Sequence, residues 1–424
     1  MTHLKQLHEQ IAAATGLLGS DGPRAALAAI QNALHNGPHA TVNSAKRASP
    51  PRHSGPPAGA AESSYGQPKF VSALLTQLGV HVPGPTGLPG MNVIHDTSAR
   101  HTAPVDRNAM RDADDTAQRA GSFISKAYKN QAGARNYKIY IPGTYTGQPM
   151  PLMVMLHGCT QNPDDFSAGT QMNQVAEEKQ CFVVYPAQEQ SANASKCWNW
   201  FKAIDQQRGQ GEPSIIAGIT EAVIADYGLD RDKVYIAGLS AGGAMAAIMG
   251  TIYPDVYKAV GVHSGLPYAA ANDLPSAMQA MRGVAARRSQ FSQASPPYGA
   301  PEAVPIIVFH GDRDTTVSAT NGDRLMEDFV DRFAKKTPAS ATQVLVEDGG
   351  TPGRRTYTRT SHHADSGAAF AEHWVIHGAG HAWAGGSGAG SYTDASGPDA
   401  SREMLRFFYT QSPDAPAARS ADCE

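Results

Sequence analysis

The sequence predicts an α/β fold with a mostly parallel central sheet flanked by helices. Three observations predict it. From Pro151 onward, short apolar runs alternate with helical stretches, the pattern of parallel strands joined by helical crossovers. Within that region Gly238-Leu-Ser-Ala-Gly242 joins the apolar run Val234-Tyr-Ile-Ala237 to a helical stretch, Gly243 to Gly250. Strand, tight turn and helix is a setting that lifts a serine hydroxyl clear of a sheet. Finally, 424 residues at 41% hydrophobic content allow a large core, while 42 glycines and 29 prolines imply many loops.

The elements follow in order. Residues 1–120 read as an extension. Leu4, Leu7 and Ile11 mark one helical pattern, and Pro23 to Leu34 a second. Residues 37–68 are rich in Pro, Ser, Gly, His and Ala and read as a disordered linker. Phe70 to Leu78 is a short amphipathic helix candidate. A domain of residues 121–411 comes next. Phe123–Tyr128 and Arg135–Ile141 alternate apolar with polar residues, as an antiparallel pair does. Strands are expected over 152–157, 181–185, 304–309 and 371–376, with helices over 165–179 and 214–227. Residues 266–304 interrupt the alternation and are expected to form a cap or lid. Residues 412–424 form a polar tail.

Composition excludes several classes of partner. The net charge is −3, and no basic stripe interleaved with aromatics appears, so no nucleic-acid partner is expected. No apolar run approaches the ~18–20 residues that span a bilayer. The segment Met1 to Gln10 lacks the basic and apolar regions of a signal peptide, so the chain reads as cytoplasmic. Four cysteines do not make a disulfide framework in a chain this long. Cys181 opens a strand as a small buried hydrophobe, and Cys423 lies in the tail. Cys159 and Cys197 both fall near the site described next. They could pair in an oxidising compartment, but free thiols are expected in the cytosol. No zinc spacing and no phosphate loop occurs, so neither metal nor cofactor is expected.

The remaining histidines and carboxylates complete a nucleophilic site. A serine hydroxyl needs an imidazole to take its proton and a carboxylate to orient that imidazole. Ser240 is the candidate nucleophile. Asp314 follows the strand ending in Phe309-His-Gly311 and is the preferred acid, with Asp312 as its rival. His381, in the small-residue loop after Ile376, is the preferred base, and His377 is the alternative. This order of serine, acid and histidine is that of an α/β-hydrolase. Two backbone N–H groups must hold the oxyanion. Ala241, next after the serine, supplies one. The other falls after strand Pro151 to Leu156, at Cys159 or else Thr160, with His157 bracing the loop.

Taken together, these segments resemble the poly(3-hydroxybutyrate) depolymerase family of serine esterases, with its feruloyl- and acetylxylan-esterase relatives. The matching pieces are Leu156-His-Gly-Cys-Thr-Gln161, Gly169-Thr-Gln-Met-Asn173, Cys197-Trp-Asn-Trp-Phe201, Gly238-Leu-Ser-Ala-Gly-Gly243, His263-Ser-Gly-Leu266 and Gly378-Ala-Gly-His-Ala-Trp383. They run in family order over about residues 120–410. The resemblance implies an α/β-hydrolase fold and ester hydrolysis through an acyl-enzyme. It carries the nucleophile to Ser240, the acid to Asp314, the base to His381 and the oxyanion histidine to His157. Trp198, Trp200, Trp383 and Thr160 are candidates for lining the acyl cleft, where flat apolar faces suit an aliphatic polyester. Secreted members of the family carry a signal peptide and a polymer-binding module, and neither is seen here. An amorphous granule or a soluble oligomer is therefore the expected substrate form, with the helices of the extension as a candidate contact to a hydrophobic granule surface. A general short-chain or feruloyl-type carboxylesterase is the alternative enzyme. A non-catalytic hydrolase-fold binding protein is disfavoured, since all three triad candidates are present.

Overall fold

The computed structural model describes residues 120–284, 304–334, 342–364 and 367–411. The helices and linker expected in the N-terminal extension, residues 285–303 of the expected cap, Cys423 and the polar tail lie outside the described residues.

Ten strands form one sheet. β1 (Ser122–Asn130) and β2 (Gly133–Ile141) are the expected antiparallel pair. β3 (Leu152–Leu156), β4 (Phe182–Pro186), β5 (Val234–Leu239), β6 (Ala259–His263), β7 (Ile306–Gly311) and β10 (Ala369–Ile376) are mutually parallel. β8 (Thr342–Gly349) and β9 (Tyr357–Ala364) extend the sheet antiparallel beyond β10. The order is β1-β2-β4-β3-β5-β6-β7-β10-β9-β8. Chain connections run outward in opposite directions from β3 and β5, which places a topological switch point at their C-terminal ends.

The parallel strands are apolar throughout because both faces are covered. Leu152, Val154, Leu156 and Ile236 enter one core, while Met153, Met155, Tyr235 and Ala237 enter the other. Successive side chains alternate faces, so each strand serves both layers.

Three helical stretches were expected in the described region. Residues 165–179 form two helices, not one: α1 (Pro163–Thr170) and α2 (Met172–Lys179). Gln171 between them takes a left-handed conformation, φ 54°, and its N–H bonds back to Ser167. No glycine or proline marks that break, so sequence periodicity passes over it. α3 (Gly211–Tyr227) starts three residues earlier than expected. Its Pro213 falls in the first turn, where the missing N–H costs nothing. α4 is Ala241–Ile252. Of the expected cap, the described part contains α5 (Leu274–Met281), capped by Asp273. α6 (Thr320–Ala334), the two-residue strands β11 (Trp383–Ala384) and β12 (Thr393–Asp394), and α7 (Ala400–Tyr409) complete the described elements.

Candidate active site

Ser240 stands at the end of β5, where the chain turns into α4. Its backbone is strained, at φ 58° and ψ −118°. The turn is tight enough to exclude side chains on both flanks. A Cβ on Gly238 would lie 2.4 Å from the backbone of Gly242, and one on Gly242 would lie 2.0 Å from the carbonyl oxygen of Leu156. The glycines are thus the condition for packing the nucleophile turn against the end of β3. The Ser240 N–H donates to the His263 carbonyl at 2.9 Å, which ties the turn to β6.

Asp314 and His381 follow the ends of β7 and β10, neighbouring strands in the sheet. Asp314 Oδ2 lies 2.6 Å from His381 Nδ1. Its Oδ1 accepts the N–H groups of Thr316 and Val317, at 2.8 and 2.9 Å. Burial alone would push the Asp314 carboxyl up. The hydrogen bonds from His310 and His381 outweigh it and hold the group well below the usual carboxylate range. The rival residues pair with each other instead. His377 Nδ1 lies 3.2 Å from Asp312 Oδ2, and both side chains are substantially exposed. Among the described residues no hydrogen bond joins Ser240 Oγ to His381. Such catalytic bonds tighten when substrate binds.

The His381 loop is fastened from three sides. The Ala384 N–H donates to His263 Nε2 at 3.0 Å, and Arg355 Nη1 donates to the Gly378 carbonyl at 2.6 Å. The Arg313 N–H donates to the Ala379 carbonyl at 3.0 Å. Burial pushes His263 down to about 3, so its ring is neutral and free to accept. The segment His263–Leu266 was visible as a motif, but no role followed from sequence. A histidine in an apolar strand carries no local sign of the loop it will meet.

The oxyanion loop follows β3. Gly158 N–H donates to Gln161 Oε1, at 2.9 Å, and Thr160 N–H to the Ser195 carbonyl, at 2.7 Å. Thr160, the second candidate donor, is therefore engaged elsewhere. The N–H groups of Cys159 and Ala241 have no acceptor among the described residues. His157 is buried, and desolvation lowers it to about 4. Cys159 is joined to Cys197 by a disulfide, not left as the free thiol expected of the cytosol.

A polar network that the sequence did not reveal supports this loop. Buried Glu212 accepts the Asn199 N–H at 2.7 Å and the Asn199 side chain at 2.6 Å. Its other partners are Arg135 and Gln188. Gln188 Nε2 also donates to the Cys197 carbonyl at 2.9 Å. The network connects β2, α3 and the disulfide, three segments far apart in the chain.

The proposed cleft residues separate. Thr160 is exposed, and its hydroxyl lies 3.3 Å from that of Tyr392. Trp383 does not line a cleft. It packs edge-on against Phe166 and stacks on His263, with its N–H bonded to Ser401. Trp198 is fully buried beside His157, and Trp200 retains only 6% of its surface. These indoles serve the core because β-strand ends and loops close over them. Among the described residues no group of three or more His, Cys, Asp or Glu is arranged to hold a metal.

A strained serine, a carboxylate-bound imidazole and two unpartnered N–H groups are the parts that acyl transfer requires. Residues 135–343 match the family described as Esterase PHB depolymerase, a span that holds Ser240 and Asp314 and stops short of His381. Poly(3-hydroxyalkanoate) depolymerase C of Paucimonas lemoignei is 34% identical over 223 residues, covering 50% of this chain and 53% of that protein. Feruloyl esterase B of Neurospora crassa is 30% identical over 141 residues, covering 33% and 47%. The chain spans about half the length of these curated relatives. Among solved structures, the acetyl xylan esterase from Aspergillus awamori aligns with a TM-score of 0.52 at 19% identity, over 68% of this chain and 99% of that one. This likeness shows the α/β-hydrolase fold.

Proposed function

From the premise that the chain belongs to the PHB depolymerase family of esterases, we propose that it is a serine esterase acting on poly- or oligo(3-hydroxyalkanoate) esters. The observation that carries the reaction is the 2.6 Å contact of Asp314 with His381, at the sheet end that also bears Ser240. The substrate class is supported by the 34% identity to a poly(3-hydroxyalkanoate) depolymerase.

In this reading Ser240 Oγ attacks the ester carbonyl carbon while His381 Nε2 takes its proton. The carbonyl oxygen becomes an oxyanion, held by the N–H groups of Cys159 and Ala241, each worth about 3 kcal/mol. The intermediate collapses as His381 returns the proton to the leaving alkoxide, releasing the hydroxyl-bearing fragment. Water then attacks the acyl-Ser240 carbonyl, giving its proton to His381, and the carboxylic acid leaves as Ser240 recovers its proton. The Cys159–Cys197 disulfide supports an oxidising compartment for this chemistry.

The test is release of 3-hydroxybutyrate from amorphous granules and from soluble oligomer, wild type beside Ser240→Ala. Release from either substrate that vanishes in the variant is the expected result. Hydrolysis of acetyl or feruloyl esters alone would transfer the assignment to a general carboxylesterase. Full activity in Ser240→Ala would overturn the mechanism.

A further inference from the structure

Behind Asp314 stand two buried histidines that the proposed reaction does not use. His310, near the end of β7, is 1% exposed. Its Nε2 lies 2.9 Å from the Val317 carbonyl oxygen and 3.5 Å from Asp314 Oδ2. A carbonyl only accepts, so Nε2 carries the proton. The other ring nitrogen, Nδ1, is buried without a hydrogen-bond partner among the described residues. His373, on the neighbouring β10, repeats the pattern. Its Nε2 is likewise buried and unpartnered, and its Nδ1 lies 3.9 Å from Asp323 Oδ1. Both unpartnered nitrogens border one glycine of α6. A Cβ on Gly322 would stand 3.0 Å from His373 Nε2 and 3.2 Å from His310 Nδ1. Buried ring nitrogens without partners are uncommon, and two converging on one Cα call for a reason.

We propose that His310 is a positioning residue of the esterase reaction, fixing Asp314 for His381 through its Nε2–H, while its Nδ1 is turned toward Gly322 and away from any acceptor. The inference rests on the assignment of Asp314 and His381 above. Val317 closes the device: its N–H donates to Asp314 Oδ1 while its carbonyl accepts from His310. Oδ1 is therefore locked by the backbone, and Oδ2 is shared between His381 and His310.

The geometry leaves His310 Nδ1 without an acceptor for a second proton among the described residues. Burial lowers His373 to about 4, so that ring brings no charge. The groups around the cluster are His263 on β6, His362 on β9, Asp323 on α6 and Asp394 on β12, besides Asp314 and His381 themselves. None of the three carboxylates accepts from His310 Nδ1. A second proton on His310 would draw Asp314 away from His381. A donor whose proton is also held by the Val317 carbonyl steadies the carboxylate in place. Removing that donor leaves the Asp314 charge to His381 alone. The imidazolium is then favoured, and the acid limb of activity moves to higher pH.

The test reads Ser240 reactivity without any ester substrate. The pH dependence of labelling by a fluorophosphonate is measured for the wild type, Ser240→Ala, His310→Gln, His310→Leu and Gly322→Ala. Glutamine can keep a donor near the Nε2 position, and leucine cannot. The expected result is labelling of His310→Gln within about threefold of wild type, with its acid limb unmoved. His310→Leu is expected to label about tenfold more slowly, with a limb raised by about half a unit. Gly322→Ala gains helix propensity while pressing on both rings, and is expected to raise the limb likewise. It carries the test if His310→Leu does not fold. Unmoved limbs in the folded variants, or slower labelling without a shift, overturn the proposal. Labelling that persists in Ser240→Ala overturns the underlying assignment instead.

Discussion

The backbone N–H of Gln188 donates to Nε2 of His157 at 3.0 Å, which decides where the ring keeps its proton. A backbone N–H only donates, so the proton sits on Nδ1 and is given to the Gly158 carbonyl, at 2.8 Å. Both ring nitrogens are spent on the loop, and neither faces a substrate oxygen. In the proposed reaction His157 would act through the loop that carries the Cys159 N–H. His157→Phe is expected to lower kcat about tenfold or more with little change in KM, since oxyanion contacts strengthen in the transition state. Steady-state kinetics check this, and a raised KM at unchanged kcat would place the ring in substrate binding.

The two carboxylate–histidine pairs provide a separate test. Asp314 is buried and bound to His381, whereas Asp312 is exposed and bound to His377. Asp314→Asn is expected to cost about 10⁴-fold in kcat, because the imidazole would adopt the wrong tautomer. Asp312→Asn and His377→Ala are expected to stay within about threefold of wild type. Kinetics on a p-nitrophenyl ester distinguish the pairs, and the opposite ranking would reassign both roles.

The Cys159–Cys197 disulfide closes a loop with a sequence separation of 38. On the chain-entropy estimate its loss costs about 4 kcal/mol. Cys159→Ser/Cys197→Ser is expected to unfold at lower urea concentration and to lose kcat, since the disulfide holds the loop whose Cys159 N–H is the proposed oxyanion donor. Urea titrations and rates measured with and without reductant check both effects. Equal midpoints for oxidised and reduced wild type would remove the disulfide from the account of stability.

Acid should weaken the fold in a defined window. Burial lowers His157 and His373 to about 4 and His263 to about 3. Unfolding returns each to about 6.5, so the unfolded chain binds more protons below that value. Their contribution is complete above pH ~6.5 and is lost as pH falls toward 4. The loss amounts to roughly 2 kcal/mol for each ring near pH 5. Asp314, held low, adds a loss only below the ordinary carboxylate range. Urea midpoints measured from pH 8 to 4.5 are expected to fall steadily below pH 6.5. A flat profile would mean that these rings titrate normally.

Legibility in the sequence followed locality. Leu152 to Leu156 and Val234 to Leu239 are continuous apolar runs, and both are central strands. β1 and β2 alternate and pair as expected. Gln171 broke a helix without a glycine or proline to announce it. The β8–β9 pair escaped notice because β8 is largely exposed, with Val346 keeping 64% of its surface, and β9 is only half-buried. An edge pair buries too little to impose a hydrophobic pattern.

The sequence by itself offered the parts of the proposed chemistry and their order. Gly238 and Gly242 declare the turn at Ser240, because no side chain fits beside the Leu156 carbonyl. A carboxylate and a histidine follow the ends of two later strands. The sequence already preferred Asp314 and His381; the tertiary structure brought those two together and paired Asp312 with His377. It also joined Cys159 to Cys197, took Trp383 into the core and gathered His310 and His373 behind Asp314. These are relations among segments distant in the chain. Burial and hydrogen-bond direction exist only once the strands have been laid side by side.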